Sequence, residues 1–240
     1  MLNTKIVVTG GSGRFGFILK KNYNSRNFFF PSKNKLNILN INSIRNYIKK
    51  NKPKILIHLA GLSRPMSIHN SNIINSINLN IIGTANIVKI CSEFNVKLIY
   101  FSTHYVYPGK KGNYSESDGL LPINNYAWSK LGGECSVQMY KNSLILRICM
   151  TEKPFVHKKA FANVKTNFLY QEEVARILFK ILNKKGTVNI GGKKQSIYNF
   201  ARKENPKIKK LFLKKNNKYN IPINPSMNTK KIYNILTKKK

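Results

Sequence analysis

The sequence predicts a doubly wound parallel α/β sheet with a small C-terminal lobe. Three observations carry that expectation: short apolar runs recur along the chain, segments of helical period lie between them, and a glycine-rich turn follows the first run directly. Lys5–Thr9 (KIVVT) is the first run, and Asn27–Phe30 is the second, closed by Pro31. Lys54–Leu59 (KILIHL), Val96–Phe101 (VKLIYF) and Ser143–Arg147 (SLILR) follow. Continuous apolar runs of this length suit strands buried on both faces of a parallel sheet. Between them, Ile41, Ile44 and Ile48 share one helical face, and Ile77, Ile81, Ile87 and Ile90 share another.

Beyond Arg147 the alternation loosens. Glu172–Leu182 (EEVARILFKIL) reads as an amphipathic helix with Val174, Ile177, Leu178 and Ile181 on one face. Gly186–Ile190 reads as a short strand and Ile197–Arg202 as a short helix. Pro206, Pro222 and Pro225 interrupt the Lys- and Asn-rich end of the chain. The expected division is therefore an α/β domain over 1–147 and a small, irregular second lobe over 148–240.

Composition excludes several classes. With 42% hydrophobic and 11% aromatic residues in 240, the chain can bury a core, which rules out a disordered polymer. No apolar run approaches the roughly 18 residues of a membrane span. Cys91, Cys135 and Cys149 are widely spaced with no C-x-x-C pair, so neither a disulfide framework nor a zinc site is expected, and a cytoplasmic location is. The first strand begins too early to leave room for a signal peptide. His58, His69, His104 and His157 lack metal-ligand spacing, so no metal is expected. The net charge of +35 comes from 43 Lys+Arg against 8 Asp+Glu. The 36 Lys, 33 Asn and 29 Ile use A/T-rich codons, so the lysines read as biased surface composition, with no specific nucleic-acid partner expected. The charge still raises the local concentration of phosphorylated ligands.

Two motifs carry chemistry. Thr9–Gly16 (TGGSGRFG) places glycines at 10, 13 and 16 where a strand gives way to a helix. Gly10 allows the tight turn, Gly13 lets backbone approach a pyrophosphate, and Gly16 lets the helix pack closely, while the helix N–H groups hold the phosphates. Pro31-Ser32-Lys33 after the second strand brings a hydroxyl and a cation in place of a ribose-binding carboxylate, which favours NADP over NAD. Tyr126 and Lys130 stand four apart on a helix, where an ammonium can lower the pKa of a phenol that gives or takes a proton. A hydroxyl from Ser102 or Thr103 can polarise a substrate oxygen. His58, inside the third strand, reads as a packed histidine, and His104 is a candidate substrate contact beside the active hydroxyl.

These residues resemble the nucleotide-sugar branch of the extended short-chain dehydrogenase/reductases, most closely the dTDP-4-dehydrorhamnose reductase-like proteins. Besides the glycine turn, the resemblance rests on Ser32-Lys33 ahead of Leu36-Asn37-Ile38, on His58–Gly61 (HLAG), Phe101–Tyr107 (FSTHYVY) and Tyr126–Glu134 (YAWSKLGGE), and on Asn189–Gly192 with Ser196–Ala201. Pro225–Lys231 resembles the family's closing stretch. The resemblance implies a Rossmann fold with catalytic Thr103, Tyr126 and Lys130. It implies that Gly10, Gly13, Arg14, Phe15, Gly16, Ser32, Lys33, Asn37, Ala60, Gly61 and Ser102 hold NADP or NAD together with Tyr126 and Lys130. Thr103 and His104 would touch substrate. The implied activity is reduction of a 4-keto sugar attached to a nucleoside diphosphate. A 4-epimerase and a non-catalytic dinucleotide-binding regulatory subunit are the alternatives, and a homodimer is compatible with each. Asn37 replaces the family's Asp, which weakens the adenosine contact, and His104 stands where the rhamnose reductases carry Asp. Thr103-His104-Tyr105 offers no carboxylate, which disfavours a dehydratase.

Overall fold

The structure is a computed structural model that describes residues 4–23, 25, 27–214 and 220–237. Its elements run β1 (Ile6–Thr9), α1 (Arg14–Asn22), β2 (Phe28–Phe29), α2 (Ile41–Asn51) and β3 (Ile55–His58). Next come α3 (Ile68–Ser71), α4 (Ile73–Ile77), a π-helical segment (Asn78–Ile82), α5 (Gly83–Glu93), β4 (Lys97–Thr103) and a 3₁₀ turn (His104–Val106). Then follow α6 (Asn125–Gln138), β5 (Ser143–Ile148), β6 (Met150–Thr151), β7 (Lys159–Phe161), β8 (Lys165–Thr166), β9 (Leu169–Tyr170) and α7 (Gln171–Lys180). The last are β10 (Gly186–Ile190), β11 (Gln195–Ser196), α8 (Ile197–Arg202), β12 (Lys209–Leu211) and α9 (Lys230–Thr237).

The main sheet has six strands in the order β10-β5-β4-β3-β1-β2. β1 pairs in parallel with both β2 and β3, and β3 pairs in parallel with β4. This is the doubly wound α/β fold that the sequence predicts. The chain adds β2 on one side of β1 and then returns to add β3 on the other. Strand order therefore reverses between β1 and β3, the point where such sheets bind ligands beyond their carboxyl ends.

The described residues divide into two units by contact. The first takes Met1–Ser102, Trp128–Leu146 and Leu182–Gly186, and the second takes Thr103–Ala127, Arg147–Ile181 and Thr187–Lys240. Where the sequence reading cuts once at 147, this division also assigns 103–127 to the second unit and 182–186 to the first. In the first unit, Val7, Leu56, Leu98 and Tyr100 from the strands pack with Ile44, Ile48, Ile87 and Ile90 from the helices. Burying side chains of this size contributes roughly 1.5–3 kcal/mol each. All seven residues of β4 are buried, as the continuous apolar run requires. The second unit has its own cluster of Ala160, Val164, Ile197, Ala201 and Ile208.

Some local expectations shift. The Ile77–Ile90 face is not continuous, because the π-helical Asn78–Ile82 changes the rotation per residue. Ile87 and Ile90 are fully buried, whereas Ile77 faces solvent. The proline-interrupted C-terminal stretch forms β12 and α9, elements the sequence reading does not contain. Among the described residues, no helix is long and apolar enough to cross a membrane.

Candidate active site

In the first unit the glycine turn and the loop after β3 meet. Gly10 has φ +71°, and a Cβ there would stand 2.6 Å from the Ala60 nitrogen. The Ala60 N–H donates to the Thr9 hydroxyl at 3.3 Å, and the Leu59 N–H donates to the Thr9 carbonyl at 3.3 Å. A Cβ on Gly16 would collide with the Gly10 carbonyl, so α1 starts tight against the turn that precedes it. That helix has Gly13 at its N-cap, no side-chain cap and no acidic residue in its first turn. A turn of this shape can take a pyrophosphate on its N–H groups. Arg14 is exposed, whereas Phe15 is buried with its ring 5.1 Å from that of Phe101. Phe15 thus belongs to the packing under the turn.

The second-strand region is a solvent-facing turn. Ser32 and Lys33 are exposed, and the Ser32 carbonyl accepts from the N–H groups of Lys35 and Leu36 at 3.0 Å each. The Asn37 side chain accepts from the Leu39 N–H at 3.0 Å, so it closes its own turn. Gly61 is exposed, and a Cβ there would stand 2.8 Å from Asn80 Oδ1.

His58 is buried between two hydroxyls, with Nδ1 2.8 Å from Thr9 Oγ1 and Nε2 3.1 Å from Thr84 Oγ1. Burial, with a smaller push from Lys130, lowers its pKa to about 3. It is the packed histidine that the sequence leads one to expect.

Helix α6 carries Tyr126 and Lys130 on successive turns. Lys130 Nζ lies 4.2 Å from the centroid of the Tyr100 ring, and the Tyr100 hydroxyl donates to the Lys130 carbonyl at 2.9 Å. Desolvation lowers the Lys130 ammonium to about 7 against an opposing pull from Glu134. Glu134 is fully buried and accepts a 2.5 Å hydrogen bond from Ser102. Burying a carboxylate is costly unless it is hydrogen-bonded and near a cation, and here both conditions hold. Asn80, in the π-helical segment, accepts from the Leu62 N–H at 2.7 Å and donates to Ser129 Oγ at 2.8 Å. It therefore ties the loop after β3 to the residue beside Lys130. The sequence reading assigns no role to Glu134 or Asn80. The i, i+4 spacing of Lys130 and Glu134 is a signal that could have found the first.

In the second unit Thr103 is buried and its hydroxyl accepts from the Tyr105 N–H at 3.3 Å. The Tyr105 and Tyr126 rings meet edge to face at 6.4 Å. His104 is buried, with Nδ1 3.1 Å from the Ile148 carbonyl and Nε2 3.6 Å from Cys149 Sγ. Desolvation lowers it to about 4, so it is neutral at physiological pH. Next to it lies a network that sequence reading does not reveal. The Tyr107 hydroxyl donates to the Ser115 carbonyl or to Asn189 Oδ1, at 2.9 and 2.8 Å, and accepts from buried Arg147 at 2.9 Å. Among the described residues, no group of three or more His, Cys, Asp or Glu is placed to hold a metal.

The chain is similar to several known proteins. It is 29% identical over 144 residues to methionine adenosyltransferase 2 subunit beta of Pongo abelii, covering 56% of this chain and 43% of that one. It is 31% identical over 145 residues to GDP-6-deoxy-D-talose 4-dehydrogenase of Aggregatibacter actinomycetemcomitans, covering 57% and 48%. The chain thus spans about half the length of the curated relatives it matches. Among solved structures, dTDP-4-dehydrorhamnose reductase from Bacillus anthracis in complex with NADP superposes with a TM-score of 0.86 at 21% identity, covering 96% of this chain and 92% of that one. Bordetella bronchiseptica WbmG in complex with NAD and UDP gives 0.74 at 16% identity, covering 94% and 85%. Such likenesses show the fold. The RmlD substrate binding domain family matches residues 4–183, and this chain belongs to that family, within the extended short-chain dehydrogenase/reductases.

Proposed function

We propose that this protein is an NAD(P)-dependent oxidoreductase of nucleotide sugars, and that it reduces a 4-keto sugar carried on a nucleoside diphosphate. The observation that carries the reading is α6, with Tyr126 one turn before a Lys130 ammonium whose pKa is lowered to about 7. A bound nicotinamide would supply the hydride to the sugar carbon. The glycines at 10, 13 and 16, beside Ala60 and Gly61, fit a dinucleotide pyrophosphate because they let the turn pack tightly and leave the N-terminus of α1 with no side-chain cap and no acidic residue in its first turn. Arg14, Ser32, Lys33 and Asn37 would lie towards the adenosine end. Tyr126 holds the proton at its phenolic oxygen and gives it to the sugar oxygen, and the Lys130 ammonium stabilises the phenolate left behind. Thr103 donates a hydrogen bond to the same substrate oxygen. Ser102 fixes Glu134, which keeps a negative charge one turn from Lys130. His104, with both ring nitrogens engaged inside the protein, bounds the substrate through its ring.

The NADP complex of the Bacillus anthracis reductase and the talose 4-dehydrogenase relative support this chemistry, and the UDP bound to WbmG supports a nucleotide-linked sugar. The same residues would serve a 4-epimerase if the cofactor stayed bound through both transfers, taking hydride from the sugar in the first half-reaction and returning it in the second. A regulatory reading is favoured by one specific observation, the similarity to methionine adenosyltransferase 2 subunit beta. The test incubates purified protein with NADPH or NADH and a panel of 4-keto sugar nucleotides, following nicotinamide absorbance. Oxidation of the cofactor with one sugar supports the reductase. A mass spectrum showing tightly retained cofactor, with sugar epimerised and no net oxidation, would replace it with the epimerase. No turnover, together with a copurifying partner enzyme, would replace it with the regulatory subunit.

A further inference from the structure

In the second unit, a groove of about 540 Å³ opens between β8, the turn into β11, α8 and β12. Among the described residues, four cations line it, Lys165, Lys194, Arg202 and Lys210, and no carboxylate does. All four are exposed residues from separate stretches of chain, so the fold gathers charge that the sequence keeps apart. Tyr198 sits among them, with the Arg202 guanidinium 6.0 Å and the Lys210 ammonium 5.3 Å from its ring centroid. Those ring contacts hold two long side chains at the groove instead of leaving them to sweep through solvent. Elsewhere on the surface, cations such as Arg45, Lys111 and Lys153 stand beside carboxylates. Here like charges converge with no carboxylate among the described lining residues, an arrangement that repels itself and that an anion relieves.

We propose that this groove binds a compact polyphosphate anion, a ligand with three or more phosphate charges in a small volume, at a site separate from the Tyr126 chemistry. The volume falls in the range of small-ligand pockets. Convergence on one concavity suits a short ligand that several cations grip together. A nucleic-acid strand would be better served by a line of charge interleaved with successive aromatic platforms, and among the described residues Tyr198 is the one aromatic side chain lining the groove.

The test titrates the full chain with inorganic tripolyphosphate at fixed ionic strength, by calorimetry and by the rise in thermal midpoint that a ligand of the folded state produces. Three proteins are compared: the unaltered chain, Lys194→Glu/Lys210→Glu, and Lys49→Glu/Lys50→Glu on the exposed end of α2. The two variants change net charge equally, so the second reports the field of the whole molecule. Lys194→Gln/Lys210→Gln gives a milder version if the double reversal unfolds. The expected result is one saturable site, weakened at least about tenfold by the groove reversal and by much less in the α2 control. Equal weakening in both variants, or many weak sites, would overturn the proposal. So would a single-stranded oligonucleotide or anionic vesicles outcompeting tripolyphosphate at the groove.

Discussion

Ser102, the next-to-last residue of β4, donates a 2.5 Å hydrogen bond to the fully buried carboxylate of Glu134, which stands one turn past Lys130 on α6. The strand end and the lysine are thereby joined through a single negative charge. That charge raises the Lys130 pKa while desolvation, the larger effect, lowers it. Glu134→Gln keeps an acceptor for Ser102 and deletes the charge, so the Lys130 pKa should fall further below about 7. A pH titration of isotope-labelled lysine Nζ followed by NMR reads this directly, and an unmoved midpoint would break the electrostatic link.

Lys130 itself should cost stability. Its folded pKa is about 7 against 10.5 for a free lysine side chain, so between them the unfolded chain binds more protons than the folded one, and stability rises with pH across that window. Below about 7 the cost of the buried ammonium is fully present. Lys130→Met should therefore abolish turnover while matching or exceeding the unaltered protein in thermal midpoint at neutral pH, with the gain shrinking towards pH 10.5. A variant that melts well below the parent at every pH would show that the ammonium stabilises the fold through Tyr100 instead.

His58 acts at the acid end. Its folded pKa of about 3 against 6.5 for a free imidazole means that stability is intact above 6.5 and is lost as pH falls towards 3. Urea midpoints measured across that range should slope less steeply in His58→Asn than in the parent. Parallel slopes would mean that His58 is not held neutral.

Two glycines separate strain from bulk composition. Gly10→Ala forces a Cβ to 2.6 Å from the Ala60 nitrogen at φ +71°, and should destabilise by about 2 kcal/mol or more. Gly119→Ala meets nothing within 4 Å and should stay within about 0.5 kcal/mol of the parent. Equal thermal midpoints for the two variants would contradict the described turn.

The sheet was legible because its strands are buried end to end. Val7, Val8, Leu56, Ile57, Leu98 and Ile99 leave almost no surface, and water-free strands must read as unbroken apolar runs. Two-residue strands have no period to read, and they exist because distant stretches pair, β6 with β9 and β8 with β11. The exposure of Ile77 needed the π-helical segment, which changes the helical repeat without a residue type that marks it. At the candidate site, the glycine turn and the Tyr126/Lys130 spacing are local patterns and so were visible. Glu134, Asn80, and the Tyr107–Arg147–Asn189 network act through partners from 18 to 82 residues away, and linear spacing does not encode such contacts.

The most direct measurement compares Tyr126→Phe with the unaltered chain in single-turnover oxidation of NADPH or NADH by the best sugar nucleotide from the panel. Removing the phenolic proton donor should slow the step by about 100- to 10,000-fold while dinucleotide affinity changes little. Turnover within a few-fold of the parent would contradict the assignment of that proton to Tyr126.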